Sequence, residues 1–439
     1  MQQDHLSQAY AHFQSGNLGL AEESCRVMLG ANPEHAEANH FLGAIRFRQG
    51  RFEEALAFLK RAAATPRATA EMQNHLGATL NKLGRKKEAV EAFERALTID
   101  PNYADALNNL GVLYLEAQKA DEAGSAFRQA IALNPNLLQA QANLQSTYRG
   151  VVPGWHFQMM NDRKRHEAYA AAINRAAPGK RVLDIGTGAG LLALMAARAG
   201  AASVTTCESV GLIAGRAREI IAMNGLSDRI AVIPKKSTDM SVPRDMPERA
   251  EVLVTETFAS GLISEGVLPT VEHAHAQLLT QDATIIPRAA SVMGYLAGGS
   301  ALQDMLFAGK VAGFDLSGFN DFAPPMLAEA LDTVPHQVLS DDAELMRFDL
   351  REKRFPVGGV RLALRATHHG VCVGIVQWIK LELDAHTKYE NRPSTQAEFN
   401  RHWTHIVHRF RKLVTVAPGD IVPVLFRHDR SQIGIELLD

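Results

Sequence analysis

The residues best suited to chemistry form one stretch, Arg181 to Gly190, which reads RVLDIGTGAG. An apolar strand pattern runs into Gly186, Gly188 and Gly190, and the helical run LLALMAARAG follows. A strand, a glycine-rich turn and a helix in this order bring the backbone of an α/β sheet close to a nucleotide-like ligand, because glycine has no Cβ to keep the ligand away. The stretch therefore predicts a ligand-binding turn at the edge of a parallel sheet.

The spacing of these glycines indicates which ligand binds. Leu191 stands where a dinucleotide fingerprint GxGxxG needs its third glycine, so an NAD or FAD site is disfavoured. Asp184 lies before the glycines, and Glu208 ends the next strand pattern, SVTTCE. This arrangement fits S-adenosylmethionine (SAM), because Gly186 and Gly188 admit the cofactor and Glu208 can accept from both ribose hydroxyls. The alternative is a generic α/β turn whose glycines only allow tight packing.

A second candidate site is a pair of carboxylates, Glu256 and Glu265, which lie nine residues apart around the loop that leaves the strand pattern AEVLVTETF. Because this loop lies at the carboxyl edge of the sheet, both side chains can converge beside the cofactor. Two carboxylates match the planar fork of a guanidinium, so we expect arginine as the acceptor. The alternative is that one glutamate only caps the following helix.

The neighbouring strand patterns indicate which elements position these residues. RIAVIP follows Glu208 as the third strand of a doubly wound sheet, and the polar turn KKSTDM after it holds Ser237 and Thr238, which are candidates for the adenine edge. From roughly Pro287, helical patterns give way to strand-like runs such as GVRLALRATHHG and VGIVQWIKLEL. These runs predict an antiparallel barrel or sandwich, and the mixed stretch KVAGFDLSGFNDFAPPMLAEAL indicates an insertion that projects from it.

Residues 2 to about 137 repeat with a period of 34. Small residues recur in two phases: Gly43, Gly77 and Gly111, and Ala21, Ala55, Ala89 and Ala123. In register, they let the two helices of a hairpin approach closely, which is typical of the tetratricopeptide repeat (TPR). We expect four units plus a capping helix, with Cys25 marking a degenerate first unit. Stacked repeats expose a groove, which predicts a peptide or protein partner; a spacer or dimer support is the alternative.

The composition excludes several classes of partner. The formal net charge is −2 and no long basic run occurs, which argues against direct nucleic-acid binding. The three cysteines are far apart, and His402, His405 and His408 drift around a helix at their three-residue spacing, so we expect no metal site. Unpaired cysteines and the lack of an apolar leader or of 18 consecutive apolar residues predict a cytoplasmic protein without membrane contact.

The length of 439 residues predicts two or three domains. The segment GVVPG, residues 150–154, breaks the helical pattern and marks a boundary, after which WHFQMMNDRKRHEAYAAAI reads as a helix. The fold class that we expect is multidomain. It comprises an α-helical TPR solenoid over 2–149, an α/β Rossmann-like SAM-dependent methyltransferase domain over 150–286 and a C-terminal antiparallel β-barrel over 287–439.

Residues from about 155 onward resemble the protein arginine methyltransferase family, because five motifs fall in order. HFQMMNDRKR matches the family pattern HxxMLxDxxR, and LDIGTGAG matches its SAM loop. Glu208 matches its ribose acid, Glu256 and Glu265 its paired glutamates, and His402-Trp403 the end of its Thr-His-Trp loop. The stretch of about 308–335 is similar to the family's dimerisation arm, so the resemblance implies a homodimer. The TPR units ahead of this module resemble the ninth mammalian member. The run LVTETFASGLISEGVLPTVEHAH is more similar to the seventh and ninth members than to the asymmetric dimethylating enzymes.

The resemblance also implies roles for individual residues. The catalytic residues would be Glu256, Glu265, His402 and Asp162, with Asp162 and His402 as a pair that relays the departing proton. The cofactor-binding residues would be Arg165, Asp184, Gly186, Gly188, Glu208, Ser237 and Thr238, with Arg165 on the carboxylate of SAM. Met159 and Trp403 would form the walls of the acceptor pocket.

Two departures from the family pattern concern the product. Arg401 replaces the threonine of Thr-His-Trp. In addition, the YFxxY segment, which covers the cofactor in the enzymes that form asymmetric dimethylarginine, has no counterpart before His156. We therefore expect monomethyl or symmetric dimethylarginine. Two other function classes stay open, namely a small-molecule methyltransferase on the same sheet and a TPR scaffold with an inactive catalytic module.

Overall fold

The computed structural model of the chain describes residues 2–149, 152, 154–329, 331–394 and 403–438. The chain divides into two compact units, Met1–Pro153 and Gly154–Asp439. The second unit holds both a parallel sheet and the antiparallel strands that follow it. None of the helices in the described ranges is long and apolar enough to cross a membrane.

The first unit consists of short helices that pack as hairpins. They are α1 (Gln2–Gln14), α2 (Leu18–Ala31), α3 (Ala36–Arg48), α4 (Phe52–Ala63), α5 (Ala70–Lys82), α6 (Lys86–Ile99), α7 (Ala104–Glu116), α8 (Ala120–Leu133) and α9 (Leu138–Arg149). The odd-numbered helices also contact one another in turn, so they form one layer of the unit.

The small residues of the repeat account for the close packing inside each hairpin. A Cβ built on Gly77 would lie 2.6 Å from Cε1 of Phe93, and one on Gly111 would lie 2.5 Å from Cε1 of Phe127. The alanines of the second phase are all fully buried: Ala21, Ala55, Ala89 and Ala123. A larger side chain at these positions would therefore push the two helices apart.

The second unit begins with a parallel sheet and its helices. They are α10 (Trp155–Met159), α11 (Arg163–Ala176), β1 (Arg181–Ile185), α12 (Leu191–Arg198), β2 (Ser203–Cys207), α13 (Gly211–Met223), β3 (Ile230–Ile233), β4 (Ala250–Thr255), α14 (Val267–His273) and β5 (Leu279–Ile286). The strand order β3-β2-β1-β4-β5 places the switch point between β1 and β4. Ligands bind at the carboxyl ends of the strands at such a point.

Antiparallel strands make up the rest of the second unit. They are β6 (Ala289–Gly298), β7 (Lys310–Val311), β8 (Phe314–Asp315), β9 (Met326–Glu329), β10 (Gln337–Val338), β11 (Ala343–Asp349), β12 (Gly358–Arg365), β13 (Gly370–Glu382), β14 (Lys388–Glu390), β15 (His405–Val416), β16 (Ile421–His428) and β17 (Ile433–Leu437), with helix α15 (Ser300–Leu306) before β7. One sheet has the order β10-β6-β13-β15-β9, with β11 on β6 and β14 on β13, and another has the order β12-β16-β17. Closure of these sheets into a barrel stays a prediction.

Two local expectations from the sequence are wrong. The run that begins at residue 155 is two helices, because Asp162 caps α11 by accepting a hydrogen bond from the backbone N of Arg165 at 3.0 Å. His405 and His408 lie on strand β15 instead of a helix, since pairing with β13 and β9 determines the conformation of this segment. Both imidazoles are buried, and burial lowers the pKa of His408 to about 3.

Candidate active site

The glycine turn after β1 leaves room for a ligand. Gly186, Gly188 and Gly190 all have positive φ angles, which glycine adopts without strain. A Cβ on Gly186 would lie 3.0 Å from Cγ2 of Thr257, whereas a Cβ on Gly188 would meet nothing within 4 Å. Gly186 is thus required for packing against the loop after β4, and Gly188 faces open space.

The carboxylate of Glu208 lies directly against this turn. Its Oε2 accepts a hydrogen bond from the backbone N of Gly188 at 3.2 Å, and its Oε1 accepts from the backbone N of Val210 at 3.0 Å. The side chain is half-buried at the carboxyl end of β2. This position fits a carboxylate that receives hydrogen bonds from the hydroxyls of a ribose.

Asp184 supports the turn from within the sheet. It is 1% exposed, and its Oδ2 accepts a hydrogen bond from Oγ1 of Thr206 at 2.8 Å. Thr206 in turn lies 2.6 Å from Oγ1 of Thr187, a residue of the glycine turn. Burial raises the pKa of Asp184 to about 7. The carboxyl group therefore acts on the turn through Thr206.

A buried ion pair connects α11 with the end of β4. Nη2 of Arg165 donates to Oε2 of Glu256 at 2.8 Å, and the two side chains are 3% and 6% exposed. The guanidinium also stacks over the ring of Tyr169, whose hydroxyl donates to the carbonyl of Thr255. Nε of Arg165 is buried and has no hydrogen-bond partner among the described residues. An unpaired buried donor fits the carboxylate of SAM, because a charge-assisted bond would satisfy it.

Asp162 lies beside this pair and receives a hydrogen bond from a distant strand. Its Oδ1 caps α11, and its Oδ2 accepts from the hydroxyl of Tyr389 on β14. Its predicted partner, His402, lies outside the described residues. Nothing in the sequence points to Tyr389, because it follows Asp162 by 227 residues and belongs to no motif.

The antiparallel sheets hold the loop that carries the paired glutamates. Nε1 of Trp403 donates to the carbonyl of Phe258 at 2.7 Å, and Nε2 of Gln377 donates to the carbonyl of Ser260 at 3.2 Å. Within the loop, Leu262 is fully buried at a φ of 63°, a strained conformation for a side chain of this size. The loop is therefore held at Phe258 and Ser260 by residues of the C-terminal part of the chain.

The two glutamates themselves differ in environment. Glu256 has a buried side chain, whereas Glu265 is exposed at the end of the loop, next to Gly266. Gly266 occupies the cap position of α14, at a φ of 76°.

The remaining predicted residues lie on the elements after β3 and before α11. Ser237 is buried and Thr238 half-buried in a short 3-10 helix, Ser237–Asp239, after β3. Met159 is half-buried, and its carbonyl lies 3.4 Å from Nη1 of Arg165. Hydrogen bonds thus connect Arg165 with Glu256, Met159 and the cap Asp162, and connect Glu208 with Gly188.

Comparisons with family profiles agree with the division of the chain. Profiles described as TPR or tetratricopeptide repeat match residues 12–77, 77–118 and 104–137. A profile described as ribosomal protein L11 methyltransferase (PrmA) matches residues 169–280, which hold most of the parallel sheet. The repeats and the SAM-type sheet expected from the sequence are confirmed.

Named relatives are similar to more than half of the chain. An arginine N(omega)-methyltransferase of Streptomyces achromogenes subsp. streptozoticus is 40% identical over 257 residues, which are 58% of this chain and 70% of that protein. Protein arginine N-methyltransferase 7 of Drosophila yakuba is 33% identical over 249 residues, which are 52% of this chain and 36% of the fly protein.

Solved structures share the fold. The PRMT1 enzyme-prozyme heterotetrameric complex of Trypanosoma brucei with AdoHcy has a TM-score of 0.55 at 23% identity, over 62% of this chain and 87% of that one. Protein arginine methyltransferase 10 of Arabidopsis thaliana has a TM-score of 0.53 at 21% identity, over 64% of this chain and 90% of that one. The expected methyltransferase fold with an antiparallel region after it is confirmed.

Proposed function

Because this chain belongs to the arginine N-methyltransferase family, we propose that its second unit transfers the methyl group of SAM to a guanidinium nitrogen of arginine in proteins. The observation that carries this proposal is the buried pair of Arg165 and Glu256, which lies at the carboxyl end of β4 beside the glycine turn. A carboxylate there can hold an arginine acceptor, and a guanidinium with an unpaired Nε can hold the donor's carboxylate.

SAM supplies a methyl group on a sulfonium, which is already activated for transfer. The residues that would hold it are Gly186, Gly188, Glu208, Arg165, Asp184, Ser237 and Thr238. Glu208 would receive the ribose hydroxyls, and Arg165 would bind the carboxylate. This chain then has mainly to align the nucleophile with the methyl group.

The difficulty of the reaction lies with the acceptor. Arginine has a pKa above 12, and its nitrogen lone pairs are delocalised. Glu256 and Glu265 hold the guanidinium, orient one terminal nitrogen towards the methyl group and draw positive charge to the other nitrogens. Since Glu256 also binds Arg165, it connects the acceptor with the cofactor side.

The departing proton needs an acceptor near the nucleophilic nitrogen. Asp162 with His402 would relay it, and the hydroxyl of Tyr389 holds the Asp162 carboxylate in place. Met159 and Trp403 would limit how many methyl groups fit. With no counterpart of the YFxxY lid, we propose monomethyl or symmetric dimethylarginine as product.

The assembly that we propose is a homodimer formed through the arm of about 308–335. Phe314, Phe319 and Phe322 are 72%, 70% and 78% exposed, which is more apolar surface than a monomer usually leaves bare. Replacing Phe319 and Phe322 by Ser should halve the mass that light scattering measures. A wild-type protein that stays monomeric at high concentration would overturn the dimer.

The TPR groove would recruit the substrate or a partner protein. The domain bounds that we propose are 2–149 for the repeats, 150–286 for the SAM-binding part and 287–439 for the β-barrel acceptor part. Burial raises the pKa of Cys25 and Cys372 to about 11 and that of Cys207 to about 12, and these unpaired thiols suit the reducing cytoplasm.

Incubation of the full chain with methyl-labelled SAM tests the proposal. The acceptors are an arginine-rich peptide and a matched peptide in which every arginine is lysine. We expect label on arginine alone, located by mass spectrometry. Label on neither peptide, with transfer to a small molecule in its place, would support the small-molecule alternative, and asymmetric dimethylarginine as main product would overturn the product assignment.

A further inference from the structure

The first unit contains a cluster of side chains that are typical metal ligands. His40 lies on α3, and Glu71 and His75 lie on α5. One ligand atom from each of the three residues lies within 4.8 Å of the other two. The proposed methyl transfer uses none of these residues.

The local structure explains why the three side chains meet. Glu71 and His75 are four residues apart on one helix, so they share a face of α5. Helices α3 and α5 belong to the same layer, and Nε2 of His40 lies 2.6 Å from Nδ1 of His75. The two imidazole rings stack with their centroids 4.8 Å apart.

The next contacts along the same layer show what this position normally holds. Nδ2 of Asn109 donates to Oδ1 of Asn74 at 2.8 Å, and Nδ2 of Asn143 donates to Oδ1 of Asn108 at 3.0 Å. Each pair is separated by 35 residues, as His40 and His75 are. A pair of amides thus satisfies the packing and hydrogen bonding of the repeat. Two imidazoles with a carboxylate beside them add metal-binding capacity that the repeat does not need.

We propose that His40, Glu71 and His75 bind a divalent transition metal ion such as Zn²⁺. Two imidazole nitrogens and a carboxylate oxygen are ligands that zinc accepts in a tetrahedral site with one open position. Zn–N bonds of about 2.0–2.1 Å place two ring nitrogens about 3.3 Å apart, so His40 and His75 have to separate by less than about 1 Å.

Exposure and charge around the cluster agree with this assignment. His40 is buried, His75 is half-buried and Glu71 is exposed, so the cluster opens to solvent on the Glu71 side. Burial lowers the pKa of His75, while the carboxylates of Glu71 and Asp105 oppose this shift and Arg48 adds to it. The open fourth position would accept water or a side chain of a protein docked on this layer of the repeat.

Calorimetry with Zn²⁺ and the chelator-treated full chain tests the proposal. We expect one zinc ion per chain at this site and a higher unfolding temperature for the helical signal when zinc is present. The test variant is the double substitution His40→Asn/His75→Asn, which copies the amide pair of Asn74 and Asn109 and so keeps the hydrogen bond between the helices.

The double variant should bind Zn²⁺ at least about 100-fold more weakly, and Glu71→Gln about tenfold more weakly, with the metal-free unfolding temperature of Glu71→Gln unchanged. His12→Asn, on α1, is the matched control and should bind like the wild type. Visible absorption of bound Co²⁺ in the wild type that is missing in the double variant would identify the ligands. The proposal is overturned if the wild type binds no Zn²⁺, or if the double variant binds it with unchanged affinity and stoichiometry.

Discussion

The cofactor side and the acceptor side of the candidate site are built in different ways. On the cofactor side, Glu208 accepts a hydrogen bond from the backbone of Gly188, 20 residues away, and Asp184 accepts one from Thr206, 22 residues away. On the acceptor side, the contacts of Trp403 and of Tyr389 span 145 and 227 residues. These two contacts of the cofactor side lie within one β-α-β unit, whereas those of the acceptor side require the antiparallel strands. Cofactor binding should therefore survive changes that abolish transfer, except at Glu256, which contacts both sides.

The paired glutamates provide the largest expected effect. Glu265→Gln and Glu256→Gln keep the shape of the side chain but remove its charge, and electrostatic groups of this kind contribute roughly 3 to 4 kcal/mol to a reaction barrier. Each variant should lose about two to three orders of magnitude in kcat, without simple additivity in the double variant. Glu256→Gln should in addition weaken SAM binding, because it releases Arg165.

Glu219→Gln is the matched control for both variants, since Glu219 is an exposed carboxylate on α13 that pairs with Arg216. Its kcat and SAM affinity should equal those of the wild type. If both active-site variants turn over at the wild-type rate, arginine is not held by these carboxylates.

A pH series tests whether Asp184 supports the cofactor side from a buried position. Burial raises the pKa of Asp184 to about 7 in the folded chain, whereas the pKa of an aspartate in the unfolded chain is about 4. The folded chain thus binds the extra proton between these values, so the stability of the wild type relative to Asp184→Asn should fall as pH rises from about 4 to about 7.

Between about pH 4 and pH 7, the free energy of unfolding of the wild type, measured relative to that of Asp184→Asn, should fall by about 1.4 kcal/mol per pH unit. Urea unfolding at several pH values, followed by tryptophan fluorescence, measures it in the second unit, where Trp155, Trp378 and Trp403 all lie. A difference that does not vary with pH would mean that Asp184 is ionised throughout.

Glu208→Ala tests the cofactor side directly. The substitution removes the carboxylate that contacts the turn at Gly188, and charge-assisted hydrogen bonds contribute roughly 1.5 to 3 kcal/mol each. We expect SAM affinity, measured by calorimetry, to fall by about one to two orders of magnitude, and Glu208→Gln to retain part of it. Unchanged affinity in Glu208→Ala would remove this residue from the site.

Tyr389→Phe should have the smallest effect and acts on the acceptor side. It removes one donor to the buried carboxylate of Asp162, which should lower stability by roughly 1.5 kcal/mol. The pH profile of kcat should shift as well, while the dissociation constant of SAM stays the same. A profile identical to that of the wild type would show that Tyr389 does not position Asp162.

The same difference in contact range decides how much could be predicted from the sequence. The glycine turn and Glu208 form a short motif, and the repeat has a fixed period, so both were visible in one sequence. The supports of the acceptor side, Tyr389 and Gln377, lie on strands whose partners only the fold brings together. His405 and His408 lie on β15 because this segment pairs with β13 and β9, and the spacing of the histidines does not reveal such pairing.

The most direct test measures SAM affinity and the single-turnover rate of arginine methylation on the same preparation of Glu265→Gln. The separation of the two sides predicts an unchanged dissociation constant for SAM and a rate about two to three orders of magnitude below that of the wild type. Affinity and rate that fall together, or a rate that does not fall, would contradict it.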